Sequence, residues 1–122
     1  MTGKIKAARK TVLQPRLRIY CGKDIALGPG KADLLEHLQA TGSISLAAEK
    51  MGLSYMRAWT LIKMMNRCFS EPLVLALRGG SQGGGAKLSE LGEEVLTLYR
   101  QMEAKSFEAT RADWQRLQKN LR

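Results

Sequence analysis

The 122-residue sequence predicts a mainly α fold: a winged helix-turn-helix with a short N-terminal β-hairpin, a two-stranded wing and a long C-terminal helix. Three observations predict it. Two helical segments joined by a glycine-containing turn occupy residues 43–69, and a strand, a glycine-rich tip and a second strand follow at residues 73–88. Apolar residues then recur every three or four positions, which is typical of a long amphipathic helix.

The first part of the chain combines a basic arm with a short hairpin. Residues 1–13 show no apolar periodicity and are predicted to be flexible. Residues 17–21 and 25–27 have the composition of two strands around the turn Gly22-Lys23-Asp24. Gly28-Pro29-Gly30 then begins a leucine-rich helix, and Gly42 ends it.

The helix-turn-helix pattern rests on caps and small residues. Ser45 is predicted to cap the first helix, Gly52 to end it, and Ser54 to cap a second helix over about 54–69. The inner face of that second helix is predicted to consist of Ala58, Leu61, Ile62 and Met65. A two-stranded wing around residues 79–86 follows, because its glycines are unfavourable in regular structure.

Ser89 is predicted to cap the last helix, which carries two apolar seams. The first consists of Leu91, Val95, Leu98 and Met102, and the second of Phe107, Thr110, Trp114, Leu117 and Leu121. The register shifts between them, so we expect a bend or two differently facing ends. One seam can cover the domain and the other can pack on a second chain. The predicted organisation is an arm at 1–13, the winged domain at 14–88 and a dimerisation helix at 89–122.

The charge distribution favours a polyanionic partner, although a solvated basic tail is the alternative. The net charge is +9, and residues 1–31 carry eight basic residues against one acid. No apolar run is long enough for a membrane span and no secretion signal is evident, so we expect a cytoplasmic protein without membrane contact. Cys21 and Cys68 match no metal-ligand spacing and are expected to be reduced thiols. No cofactor is expected.

Enzymatic chemistry is not expected. The single histidine, His37, lies on a leucine-rich helix, and no nucleophile–base set is apparent. Residues 80–87 are rich in glycine but lack the Gly-Lys-Ser/Thr ending of a nucleotide-binding phosphate loop.

The second helix of the motif is predicted to enter the major groove of double-stranded DNA. Arg57 is the best candidate for reading bases, because its guanidinium can pair with guanine O6 and N7. Lys63 and Arg67 are expected on the backbone, with the wing on the backbone or minor groove. The candidate DNA-binding residues are Ser45, Ser54, Tyr55, Met56, Arg57, Thr60, Lys63, Arg67, Arg78, Gln82 and Lys87. The candidate dimerisation residues are Leu98, Met102, Phe107, Trp114, Leu117 and Leu121.

These motifs resemble a known family. The segments 41–48, 53–59 and 65–66, then 71–74, the wing and 88–92, are similar to the N-terminal DNA-binding domain of ModE, the molybdate-responsive regulator. A more distant similarity links them to LysR-type regulators. The resemblance covers about residues 17–102 and implies a homodimeric transcription regulator. It differs in lacking the molybdate-binding domains, as stand-alone members do, and in an apolar Leu75-Ala76-Leu77 beside the wing.

Two alternatives stay open at this point. The protein could be an architectural or non-specific nucleic-acid-binding protein that uses charge alone. It could also be a regulator that senses a metal or oxyanion directly, through Cys21, Cys68 or methionines at the dimer interface.

Overall fold

A computed structural model describes residues 9–77 and 85–122 and confirms the mainly α fold. Within these residues the helices are α1 (Pro29–Thr41), α2 (Ile44–Met51), α3 (Tyr55–Cys68) and α4 (Glu90–Gln118). Two antiparallel hairpins accompany them: β1 (Ile19–Cys21) with β2 (Asp24–Leu27), and β3 (Val74–Ala76) with β4 (Ala86–Leu88).

The first hairpin is close to the predicted one. Cys21 pairs with Asp24 across a tight turn, so Asp24 belongs to β2 and not to the turn. Gly22 makes this reversal possible, because its φ of 63° lies in the left-handed region that glycine tolerates.

The start of α2 corrects one expectation. Ser43, and not Ser45, caps this helix: its backbone is extended and its Oγ accepts a hydrogen bond from Leu46 N at 3.1 Å. Gly42, at φ 68°, ends α1 just before it, so the next helix begins two residues earlier than predicted. Ser45 is therefore an exposed residue in the first turn of α2.

The core lies between α1, α3 and the start of α4. Leu34, Leu35 and Leu38 of α1 are fully buried. The predicted inner face of α3 is confirmed at Ala58, Ile62 and Met65, whereas Leu61 is only partly buried against the core.

Helix α4 continues without interruption over 29 residues, and its buried face differs from the predicted first seam. Gly92, Leu96 and Tyr99 are the buried residues, one position later than Leu91, Val95 and Leu98. At 100° per residue this face continues in line with Phe107, Trp114, Leu117 and Leu121. The two predicted seams therefore lie on different faces of an unbroken helix, so the predicted shift of register between them holds.

Two polar contacts fix α4 to the rest of the protein. The Tyr99 hydroxyl donates to the Leu17 carbonyl at 2.6 Å. Arg100 pairs with Asp33 and Glu36 of α1 and with Glu103 of its own helix. Burial disfavours the charge of Arg100, but the three carboxylates outweigh that effect and raise its pKa.

Candidate nucleic-acid interface

The exposed face of α3 is the most prominent polar surface of the helix-turn-helix. Its N-cap is Ser54, whose Oγ accepts from Arg57 N at 3.0 Å. Tyr55 and Met56 follow in the first turn and are 50% and 66% exposed. Further along, Thr60 Oγ1 donates to the Met56 carbonyl at 2.9 Å, so its oxygen stays available as an acceptor. The residues predicted for this face are therefore exposed.

The electrostatics of α3 favour an anionic partner. The helix contains three basic side chains, all exposed, and no acidic residue. Lys63 Nζ lies over the Trp59 ring, 6.0 Å from its centroid, which holds the lysine stem against the helix. Arg67 makes a solvent-exposed ion pair with Asp24 at 3.6 Å. Exposed ion pairs contribute little free energy, so Arg67 can leave Asp24 for a phosphate at small cost. Arg57 is the basic residue nearest the helix N-terminus.

The turn between α2 and α3 is tight. Gly52 closes α2 at φ 67°, and Leu53 N donates to the Ala48 carbonyl at 2.9 Å. Ala47 and Ala48 are both buried, because small side chains let the helices approach closely. This arrangement fixes the angle at which α3 is presented.

Asn66 joins α3 to the wing, a role that sequence reasoning missed. Its Oδ1 accepts from Leu73 N at 2.9 Å and from Val74 N at 3.2 Å, while its Nδ2 donates to the Val74 carbonyl. A polar residue next to the apolar face of a predicted helix was the available signal. The contact couples the position of the wing to that of α3.

The wing is described at its base. Val74 pairs with Leu88 and Ala76 with Ala86, and Ala86 N donates to the Gly42 carbonyl at 3.0 Å. Lys87 is exposed on β4, as a phosphate contact requires. The candidates Arg78 and Gln82, with the tip at 78–84, lie outside the described residues.

The candidate dimerisation residues lie on α4 and are accessible. Leu98, Met102, Phe107, Leu117 and Leu121 are all at least 36% exposed, and Trp114 is half-buried. Near the domain, Leu98 and Met102 also border a cleft of about 160 Å³ whose other walls are apolar, formed by Ile19, Leu27, Phe69, Val95 and Tyr99. Such exposed apolar area on one helix is typical of an interaction surface.

Within residues 9–77 and 85–122, no cluster of three or more His, Cys, Asp or Glu side chains has a metal-binding arrangement. Over the same ranges, none of the helices has the length and apolar character needed to cross a membrane.

The chain is similar to known proteins over much of its length. It is 42% identical over 78 residues to the molybdenum transport protein ModE of Azotobacter vinelandii, covering 64% of this chain and 29% of that protein. It is 38% identical over 88 residues to the DNA-binding transcriptional dual regulator ModE of Escherichia coli, covering 70% of this chain and 34% of the relative. The molybdenum-pterin-binding protein MopB of Rhodobacter capsulatus is 42% identical over 78 residues, 64% of this chain and 29% of that protein. The chain thus spans about a third of the length of these relatives, and no family model matches it.

Proposed function

From this ModE-like relationship, we propose that the chain is a sequence-specific, double-stranded DNA-binding transcription regulator that acts as a homodimer. Helix α3 enters the major groove, and the wing at 79–86 contacts the backbone or minor groove. The observation that carries the proposal is the exposed, acid-free face of α3, presented by a tight turn after α2.

The polar groups of α3 divide into two roles. Arg57 lies in the first turn of the helix, where recognition helices meet base edges, and its guanidinium has the geometry for guanine. Lys63 and Arg67 lie further along the same helix, where point charges contact phosphates. Ser54 and Tyr55 offer hydroxyls at the N-terminus, which itself favours an anion.

The wing and the start of α2 provide additional backbone contacts. Lys87 supplies a cation at the base of the wing, and Ser45 supplies an exposed hydroxyl in the first turn of α2. Asn66 ties the wing strand to α3, so both contacts form as one rigid unit.

A second copy of the chain is the partner for α4. Its exposed apolar residues extend from Leu98, beside the domain, to Leu121 near the end of the helix. Burying these residues against the same residues of another protomer gives a two-fold dimer, and a two-fold dimer presents two α3 helices to an inverted repeat.

Base reading by Arg57 is tested by comparing two alanine variants, one that removes Arg57 and one that removes Lys63. We expect Arg57→Ala to lose about 1–3 kcal/mol of binding to a selected site and to relax its base preference. Lys63→Ala should weaken binding to all sequences and lower the salt slope by about one. Both are measured by fluorescence anisotropy at several salt concentrations.

The control variant is Lys105→Ala, an exposed lysine of α4 away from α3, which should leave binding unchanged. Selection from a random duplex pool that yields no preferred site would refute sequence-specific regulation and favour a non-specific nucleic-acid-binding protein. Equal losses on all sequences for Arg57→Ala would refute the role of Arg57 in base reading.

A further inference from the structure

The fold brings the two cysteines together, although they are far apart in the sequence. Cys21 ends β1 at the tip of the first hairpin, and Cys68 ends α3. Cys21 is close enough to Cys68 to raise the pKa of its thiol. An ion pair joins the same two places in the fold. Asp24 lies opposite Cys21 in the hairpin, and its carboxylate pairs with Arg67, the residue before Cys68, at 3.6 Å.

The two thiols differ in their surroundings. Cys21 is exposed, whereas Cys68 is partly buried. Burial raises the pKa of Cys68, and the neighbouring Cys21 raises it further. Cys68 therefore stays a protonated thiol at neutral pH, and the accessible Cys21 is the sulfur that meets a dissolved oxidant first.

We propose that Cys21 and Cys68 form a reversible, peroxide-oxidised dithiol site that ties the first hairpin to the end of α3. The Cys21 thiolate attacks one peroxide oxygen, which cleaves the O–O bond, gives a sulfenic acid and releases hydroxide. The sulfur of Cys68 then attacks the Cys21 sulfur, loses its proton and displaces hydroxide, so that the S–S bond forms. The hydroxide leaves as water. In total, two thiols lose two electrons and two protons while one peroxide becomes two waters, and an added dithiol reverses the reaction.

The surroundings of the pair favour this chemistry over metal binding. The neighbouring charged groups are the cations Lys31 and Arg67 and the carboxylate of Asp24. Together they carry a net positive charge, which disfavours a bound metal cation at the two thiols. The inference does not depend on DNA binding, so its failure and that of the proposed function are separate results.

The full-length chain is reduced, freed of reductant and treated with one equivalent of hydrogen peroxide. We expect an intramolecular disulfide: an intact mass lower by two hydrogens, no free thiol towards an alkylating reagent, and a peptide linking Cys21 to Cys68. The melting temperature should rise by roughly 10 °C, since the bond closes a long loop, and dithiothreitol should reverse the change.

After peroxide treatment, the variants Cys21→Ser and Cys68→Ser should each keep the intact mass of a single chain, with no covalent cross-link between chains. Their melting temperatures should not rise. A matched control combines Cys21→Ser with Lys23→Cys, which keeps an exposed thiol on the hairpin but moves it two residues. Disulfide formation in that control at the wild-type rate would overturn the proposal. Cross-linking between chains, irreversible oxidation of Cys21 alone, or no reaction would overturn it as well.

Discussion

At the residue scale, Lys31 stands out because it places an amine inside the domain. It is 7% exposed, and its Nζ hydrogen-bonds with the Ile25 carbonyl and lies 3.3 Å from the Met64 sulfur. Burial is the main cause that lowers its pKa from the ordinary 10.5, against an opposing effect of Cys68 and Asp24. No carboxylate hydrogen-bonds to this amine among the described contacts, so its charge is a cost to folding.

Replacing Lys31 with a neutral side chain of similar length should stabilise the protein. We expect Lys31→Met to raise the free energy of unfolding at pH 7 by about 1 kcal/mol, measured by urea denaturation. The folded pKa lies below the unfolded value, so the unfolded chain binds more protons between the two. The free energy of unfolding of the wild-type protein therefore rises relative to that of the variant as the pH increases towards 10.5.

The difference in stability between the two proteins should thus shrink with rising pH. Comparing them at each pH removes the effect of Tyr99, whose raised pKa acts in the opposite direction over the same range because burial disfavours the phenolate. A variant that is less stable at pH 7, or a difference that does not change with pH, would contradict this account of Lys31.

At the element scale, the packing of α4 on the wing depends on Gly92. A Cβ at this position would lie on the carbonyl oxygen of Leu73, which is backbone and cannot move aside as a side chain can. Ser89 reinforces the same approach, because its Oγ donates to the Pro72 carbonyl at 2.7 Å and accepts from Gly92 N at 3.0 Å. The first turn of α4 and the segment before β3 are therefore in direct backbone contact.

Gly92→Ala should destabilise the protein by about 3 kcal/mol, since the helix must move away from Leu73. Gly30→Ala is the matched control: it lies in the first turn of α1, and its Cβ would meet nothing within 4 Å. That change should be neutral or stabilising by up to about 1 kcal/mol. Equal melting temperatures for the two variants in a thermal scan would show that the close approach is not what Gly92 provides.

The elements themselves were largely predictable from local signals. Gly42, Gly52 and the caps Ser54 and Ser89 mark helix ends through backbone chemistry that needs no tertiary information. The buried face of α4 was misread because the seam through Leu98 is more apolar than the one through Gly92. A glycine reveals its close contact only once the neighbouring strand is in place.

In the candidate site, too, features set by local periodicity were predictable, whereas features set by tertiary packing were not. The exposed face of α3 follows from helical periodicity, and it was predicted correctly. Asn66 left a weak signal, a polar residue beside the apolar face of its helix, but its bridge, the buried Lys31 and the proximity of Cys21 to Cys68 depend on how separate elements pack, which local patterns do not show.

At the scale of the whole molecule, the segment at residues 11–17 contacts α4. The Gln118 side chain donates to Thr11 Oγ1 at 2.8 Å, and Tyr99 donates to the Leu17 carbonyl. Residues 11–20 alternate between partly buried and exposed, as an extended segment does when one side lies against another element. The N-terminal segment therefore adds to the surface around α4 that we assign to the second protomer.

If α4 forms the dimer interface, breaking that interface should weaken binding to the DNA site without unfolding the monomer. We expect Leu117→Glu to convert the protein from dimer to monomer in sedimentation velocity, because it buries a carboxylate in an apolar contact. Leu117 is 56% exposed in the single chain, so the melting of an isolated protomer should change little. Gln115→Glu, an exposed position on the other side of the helix, is the control that adds the same charge and should stay dimeric.

The dimer also sets the geometry of the DNA site. Two α3 helices related by a two-fold axis should protect half-sites whose centres lie about 10 base pairs, or a multiple of this, apart. Inserting about five base pairs at the centre turns one half-site to the opposite face of the duplex, so binding should fall to that of a single half-site. Leu117→Glu should bind both duplexes equally and weakly. Equal affinity of the wild-type protein for both spacings, in gel shifts at constant salt, would contradict a rigid dimer on an inverted repeat.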